Sequence, residues 1–225
     1  MSEAPILFVL AGPNGAGKSS IGGAFYRSIG RDYFNPDEIT RQILLGNASL
    51  DPQQANALAW QLNVRMLREA IGRRTSYAFE TTLGGNTIPA LLRQGIQAGL
   101  RLHLWYAGLD SPERHLARIA ARVARGGHDI PEAKVRERYR SSLLNLIQLI
   151  PLAHRLQVYD NSIEAVDAMP EPKLVLAVSA GRIDTPATLA ALRATPDWAK
   201  PVVARAFEVY EGPLGPLIQE KAPKL

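Results

Sequence analysis

The residues with the most evident chemical use lie near the start of the chain. Gly12-Pro13-Asn14-Gly15-Ala16-Gly17-Lys18-Ser19 fits the pattern G-x-x-x-x-G-K-[ST]. Its glycines let the backbone turn with its N–H groups inward, where a helix N-terminus would join them in holding phosphate oxygens. Lys18 would reach the β- and γ-phosphates, and the Ser19 hydroxyl would sit on a Mg²⁺ that bridges them. The expected nucleotide-binding set is Gly12, Pro13, Asn14, Gly15, Ala16, Gly17, Lys18, Ser19 and Ser20, with Ser19 as the metal ligand and ATP as the nucleotide.

A phosphate loop needs a strand before it and a helix after it. Ile6-Leu-Phe-Val-Leu-Ala11 is an apolar run of buried-strand length, and Ile21, Ala24, Phe25 and Ile29 follow at near-helical spacing. Two further polar groups fall where other strands should end on the same sheet edge, the edge where ligands of doubly wound sheets gather. Tyr33-Phe34-Asn35-Pro36-Asp37 reads as the end of a second strand. Asp37 would there accept a proton from a substrate hydroxyl, or else cap the helix that Ile39, Ile43 and Leu44 outline. Tyr77-Ala-Phe79-Glu80-Thr81-Thr82 reads as a third strand ending in a carboxylate and two hydroxyls suited to an acceptor. Leu100 to Ala107 alternates into a fourth, with His103 a core or flank histidine.

Helices are expected over 51–72, on an apolar stripe of Ala55, Ala59, Leu62, Met66 and Ile71, and over 87–98. Ser111-Pro112-Glu113 has the form of a helix start. The helix it opens carries Arg114, Arg118 and Arg122 on one face and Arg125 beyond, and runs into a Gly126-Gly127 hinge. A second basic helix from Glu132 to about Ile150 turns Arg138 toward its apolar stripe of Val135, Tyr139 and Leu146. Two basic helices on a hinge make a lid that brings arginines onto a transferring group and excludes water. Strands near 156–162 and 173–178 and helices over 185–192 and 196–210 follow, and the end from Gly212 is expected to fray. The fold class implied is α/β: a three-layer P-loop NTPase sandwich with a mostly parallel sheet. It would be a single domain over 1–225, with its lid at about 112–150 and a C-terminal helical extension at about 183–225.

The 225 residues include no cysteine, which removes disulfides, thiolate nucleophiles and cysteine metal sites and is compatible with a cytoplasmic protein. The first apolar run stops at Ala11 with no basic segment before it, so it reads as a strand and not a signal peptide. No run approaches membrane-spanning length, so no membrane partner is expected. The net charge of +5 suits an acidic ligand. A phosphorylated small molecule explains the clustering of arginines between 101 and 140 as well as nucleic acid does. A GTPase would want an Asn-Lys-x-Asp reader and a transporter ATPase a Leu-Ser-Gly-Gly-Gln signature, and neither occurs.

Gly12 to Ser19, Asn35-Pro-Asp-Glu38, Phe79-Glu-Thr-Thr82, Gly126-Gly-His-Asp-Ile-Pro131 with Arg138-Tyr-Arg-Ser141, and Tyr159-Asp-Asn-Ser162 resemble, in that order, the motifs of zeta-toxin family P-loop kinases. The resemblance covers roughly residues 6–180 and is closest to bacterial chromosomal members. It implies an ATP- and Mg²⁺-dependent kinase acting on a hydroxyl of a UDP-N-acetylsugar, UDP-N-acetylglucosamine in the best-understood members, and a possible antitoxin protein as partner. Asp37 would be the base. Glu80, Thr81, Thr82 and His128 would touch the acceptor. Arg122, Arg125, His128 and Arg138 are the lid candidates, with Arg125 and Arg138 assigned beside Lys18 to the transferring phosphoryl group. The alternatives are a polynucleotide or nucleoside kinase, and a nucleotide-binding partner protein without kinase turnover.

Overall fold

The computed structural model describes residues 4–19, 22, 33–47, 49–127, 129–163 and 172–214. Ser20, His128, nearly all of the helix expected after the phosphate loop, and the tail from 215 lie outside the described residues. Six strands form one sheet in the order β2-β1-β3-β4-β5-β6: β1 (Ile6–Ala11), β2 (Tyr77–Thr81), β3 (Arg101–Gly108), β4 (Ala153–Asp160), β5 (Lys173–Ser179) and β6 (Arg182–Thr185). The first four run parallel, whereas β5 and β6 are antiparallel to their neighbours.

The parallel register brings four strand ends to one edge. Ala11 pairs with Thr81 on one side and Tyr106 on the other, and Gly108 pairs with Asp160. One face of the sheet is covered by α2 (Pro52–Arg73), α3 (Thr87–Gln97), the end of α5 (Glu132–Leu149) and α7 (Lys200–Val209). Their Val64, Leu67, Leu91, Leu92, Leu146, Leu149, Val202 and Val203 form one core with Leu7, Val9, Leu102, Leu104, Tyr106, Leu156 and Val158. Removing that apolar surface from water, at about 25 cal/mol per Å², is the main term holding the layers together. On the other face His103 sits edge-on to Phe8 at 5.2 Å and stacked on His154 at 5.6 Å, the flank position expected of it.

Several expectations need correction. The second strand is a single bridge from Phe34 to Phe79. Asn35 then starts α1 (Pro36–Gly46) by accepting N–H bonds from Asp37 and Glu38, so Asp37 lies in a helix and not at a strand end. In α2 the buried face is Ala55, Ala59, Asn63, Val64, Leu67 and Ala70, and Met66 is turned out. Stripes anchored on 62 and 63 differ by only one residue, and the helix packs through the latter. The strand β6 and its antiparallel pairing were not foreseen. Of the stretch expected to be helical over 185–192, Thr185 ends β6 and the helix, α6 (Leu189–Arg193), starts only after a Thr188 cap.

The two helices expected to form a lid are only partly separate from the core. The first helix, α4 (Pro112–Val123), is capped by Ser111 as expected. The far half of α5 belongs to the core: Leu146 and Leu149 are fully buried, Ser142 is hydrogen-bonded to Tyr106 of β3, and Asn145 to the loop after β2. No helix among the described residues is long and apolar enough to cross a membrane.

Candidate active site

The phosphate loop follows β1 directly, and its first residue shows why glycine is needed. Gly12 has φ 137°, and a Cβ there would lie 2.1 Å from the carbonyl oxygen of Ala107 on β3. Any other residue would force the loop off the strand end. Lys18 is buried, with Nζ donating to the Pro13 carbonyl at 3.1 Å and lying 3.6 Å from Glu80 Oε1. The Ser19 hydroxyl donates to the other Glu80 oxygen at 2.9 Å. Glu80, foreseen as an acceptor contact, is therefore held on the loop's own lysine and serine. Leu10 pairs with Glu80 in the β1–β2 register, which puts this carboxylate beside the loop.

Asn35 links the loop to α1. Its Oδ1 caps the helix, and its Nδ2 is 3.5 Å from Ser19 Oγ and 3.3 Å from the Tyr33 hydroxyl. Two residues on, Asp37 presents an exposed carboxylate that meets Arg122 Nη1 of α4 at 3.4 Å. Thr81 and Thr82 use their hydroxyls on the turn that follows them, accepting from the N–H groups of Leu83 and Gly84. Asn145 of α5 closes that turn by donating to the Leu83 and Gly85 carbonyls at 2.8 and 3.1 Å.

Among the foreseen lid arginines, Arg138 reaches the loop. Its Nη1 donates to Asn14 Oδ1 at 2.9 Å, and its stem crosses Gly84, where a Cβ would fall 2.9 Å from Arg138 Cγ. Arg125, just past the end of α4, is not brought there, because its Nε bonds the Ala121 carbonyl in the last turn of that helix. Arg122 occupies the position facing Asp37 instead.

Four supporting residues lay outside the foreseen site. His115 is fully buried, with Nδ1 2.7 Å from the Asn14 carbonyl, and burial pushes its pKa down to about 4. Asn161, just past β4, donates to the Ala16 carbonyl at 2.9 Å, and its own carbonyl accepts from Arg118 at 2.7 Å. Asn35 and Asn145 complete the set. Of these, Asn35 and Asn161 stood in motifs singled out from the sequence, Asn35 in an Asn-Pro turn and Asn161 in the polar end of a late strand, but neither was given a role in the site. The others act through contacts between distant segments. Lys18, Arg118, Arg122 and Arg138 thus surround a mouth whose buried carboxylate is already engaged, an environment suited to a polyanion.

An uncharacterised protein of Haemophilus influenzae is 35% identical over 132 residues, which is 57% of this chain and 88% of that protein. The chain belongs to the same family as that protein. No protein-family model matches it. Among solved structures it is similar to AvrRxo1-ORF1 in complex with ORF2 and ATP, with a TM-score of 0.58 and 18% identity over 79% of this chain, and it spans 59% of that chain's length. A kinase candidate of Chloroflexus aurantiacus gives 0.56 and 17%, covering 72% of this chain and 90% of that one. The PezAT chromosomal toxin–antitoxin system of Streptococcus pneumoniae gives 0.52 and 15%, covering 71% and 68%. These likenesses show that the chain shares the α/β fold of those proteins. In open α/β sheets ligands gather outside the carboxyl ends of the strands, the edge that here holds Gly12, Glu80, Gly108 and Asn161.

Proposed function

We propose that this protein is an ATP-dependent phosphotransferase that passes the γ-phosphoryl group to a hydroxyl of a small phosphorylated acceptor, with a UDP-N-acetylsugar as the preferred class. The observation that carries this reading is the double reach of the lid: Arg138 to Asn14 on the phosphate loop, and Arg122 to Asp37 on the acceptor side. Cations and a carboxylate from separate segments are thereby gathered around one loop.

In the proposed reaction the acceptor oxygen forms a bond to the γ-phosphorus while the bond from that phosphorus to the β-phosphate bridging oxygen breaks, releasing ADP. Asp37 orients the acceptor hydroxyl and takes its proton. Lys18, Arg122 and Arg138 stabilise the charge that spreads over the equatorial oxygens, each donor contributing about 2–4 kcal/mol in a site closed to water. The Ser19 hydroxyl and Glu80 carboxylate, 2.9 Å apart, fit the oxygen-only preference of Mg²⁺, which would neutralise phosphate charge when bound. Glu80 also keeps buried Lys18 paired. The protein-bound settings of the AvrRxo1 and PezAT structures support an antitoxin-like partner as a further part of the proposal.

The test is transfer of labelled γ-phosphate from ATP and Mg²⁺ to a panel of UDP-N-acetylglucosamine, nucleosides and oligonucleotides. Label in the sugar nucleotide alone, lost about 10² to 10³-fold in Lys18→Ala and Asp37→Asn, is the expected result. Binding of ATP with no labelled acceptor would overturn it, and label in oligonucleotides would move the acceptor to nucleic acid ends.

A further inference from the structure

His115 has no place in the chemistry above. It is fully buried on the first turn of α4, yet its Nδ1 lies 2.7 Å from the carbonyl oxygen of Asn14 at the crown of the phosphate loop. A carbonyl oxygen only accepts, so Nδ1 carries the proton. Nε2 then holds a lone pair, and it is buried without a hydrogen-bond partner among the described residues. A ring that gives up one of its two polar contacts in the interior is held there by the other. The ring also meets Tyr139 of α5 edge-on at 5.6 Å, and the residue before that tyrosine is Arg138, which donates to the Asn14 side chain. Asn14 is thus gripped twice, at its carbonyl from α4 and at its amide from α5.

The Asn14 carbonyl and the Gly15 N–H belong to one planar trans peptide and point in opposite directions. Holding the oxygen against α4 turns the Gly15 N–H away from it. We propose that His115 is a positioning residue of the phosphate loop, fixing the Asn14–Gly15 peptide so that the loop's N–H groups are set for phosphate before a nucleotide arrives, and coupling that setting to α5 through Tyr139. The inference rests on the nucleotide reading above. The neutral ring suits the role, since burial disfavours its protonation and nearby Lys18 and Arg118 add to the effect.

Two substitutions separate a donor from a space-filler. His115→Phe keeps a ring against Tyr139 and removes the donor, whereas His115→Asn keeps a donor close to the Nδ1 position. By calorimetric titration with ATP, H115F is expected to bind about tenfold more weakly and H115N within about threefold of the unaltered protein, the effect of one unmade buried hydrogen bond. Unchanged binding by H115F, or equal losses in both variants with equal falls in melting temperature, would overturn the role. A second measurement covers the case in which H115F does not fold: imidazole ¹⁵N shifts of the unaltered protein near neutral pH should show the Nδ1–H neutral tautomer. The Nε2–H tautomer would remove the bond to Asn14 and the proposal with it. Failure of the unaltered protein to bind ATP sinks the kinase reading as well, whereas an altered H115F beside a normal parent, or its absence, bears on His115 alone.

Discussion

Arg122 Nη1 stands 3.4 Å from Asp37 Oδ2, a contact between the last turn of α4 and the first turn of α1. Both side chains keep much of their water, at 37% and 62% exposure, so the pair adds at most about 1 kcal/mol to stability. Its significance is positional, because it sets a cation of α4 against the carboxylate proposed above as the base.

A sharp division between neighbouring arginines follows. Arg122→Ala should lower the rate of phosphoryl transfer by about 10²-fold. Its melting temperature should move by no more than about 3 °C. Arg125→Ala, whose guanidinium is turned back on Ala121, should stay within about threefold of the parent, below the scale of a lost transition-state donor. Steady-state kinetics and a melting curve on the two variants decide it. A severe loss in Arg125→Ala with a mild one in Arg122→Ala would reverse the assignment.

Gly84 supplies a second test of how the lid is placed. A Cβ at this position would lie 2.9 Å from Arg138 Cγ and 3.3 Å from its Cβ, too close to the helix for the arginine simply to swing its tip aside. Gly84→Ala should displace the Arg138 stem and weaken its bond to Asn14. The expected result is about a tenfold fall in transfer, less than removal of a whole donor, with little change in unfolding midpoint. Normal activity in Gly84→Ala would mean that Arg138 tolerates the shift and is not held by this contact.

Much of this geometry is legible in the residues alone, and the parts that are not share a cause. Gly12 to Ser19 announces its strand and its loop because both are local patterns, and Ser111-Pro112 announces α4 for the same reason. The choice between Arg122 and Arg125 is of another kind. Arg122 lies in the last turn of α4 and Arg125 three residues on, just past its end, and only the approach of α1 makes one of them face a carboxylate. Met66 and Val64 present the same problem in α2, where two nearly overlapping apolar stripes compete and the sheet selects one. His115 is the extreme case. A histidine among arginines on a basic helix carries no mark of the loop carbonyl that it holds across about a hundred residues of chain.

The buried state of His115 also predicts a pH dependence. Its pKa falls from 6.5 to about 4, first through burial and then through Lys18 and Arg118, against the opposing pull of the Asn14 carbonyl. Between those values the unfolded chain binds a proton that the native protein does not. Stability from this group is therefore complete above about pH 6.5 and is lost as pH falls toward 4, on the order of 3 kcal/mol in all. Urea unfolding at neutral pH and near pH 4.5 should show a steeper acid loss in the unaltered protein than in His115→Asn. Parallel losses would mean that the ring is protonated in the native state.

The anchorage of α5 can be measured separately from the chemistry. Tyr106 of β3 and Ser142 of α5 are 2% and 0% exposed, and their hydroxyls are 3.1 Å apart. Either hydroxyl could be the donor, but neither has bulk water to turn to. Ser142→Ala leaves the tyrosine hydroxyl buried without this bond and should cost about 1–3 kcal/mol, and Tyr106→Phe should cost a similar amount from the other side. Removing both hydroxyls leaves no orphan, so the double variant should be less destabilised than the sum of the singles, with a coupling of about 1 kcal/mol or more. Arg138 lies one turn before Ser142 on the same face, so a loosened α5 should also weaken the grip on Asn14 and lower transfer in the single variants. Additive losses by chemical unfolding would show that the two hydroxyls do not depend on each other, and that α5 is held to the sheet by its buried leucines alone.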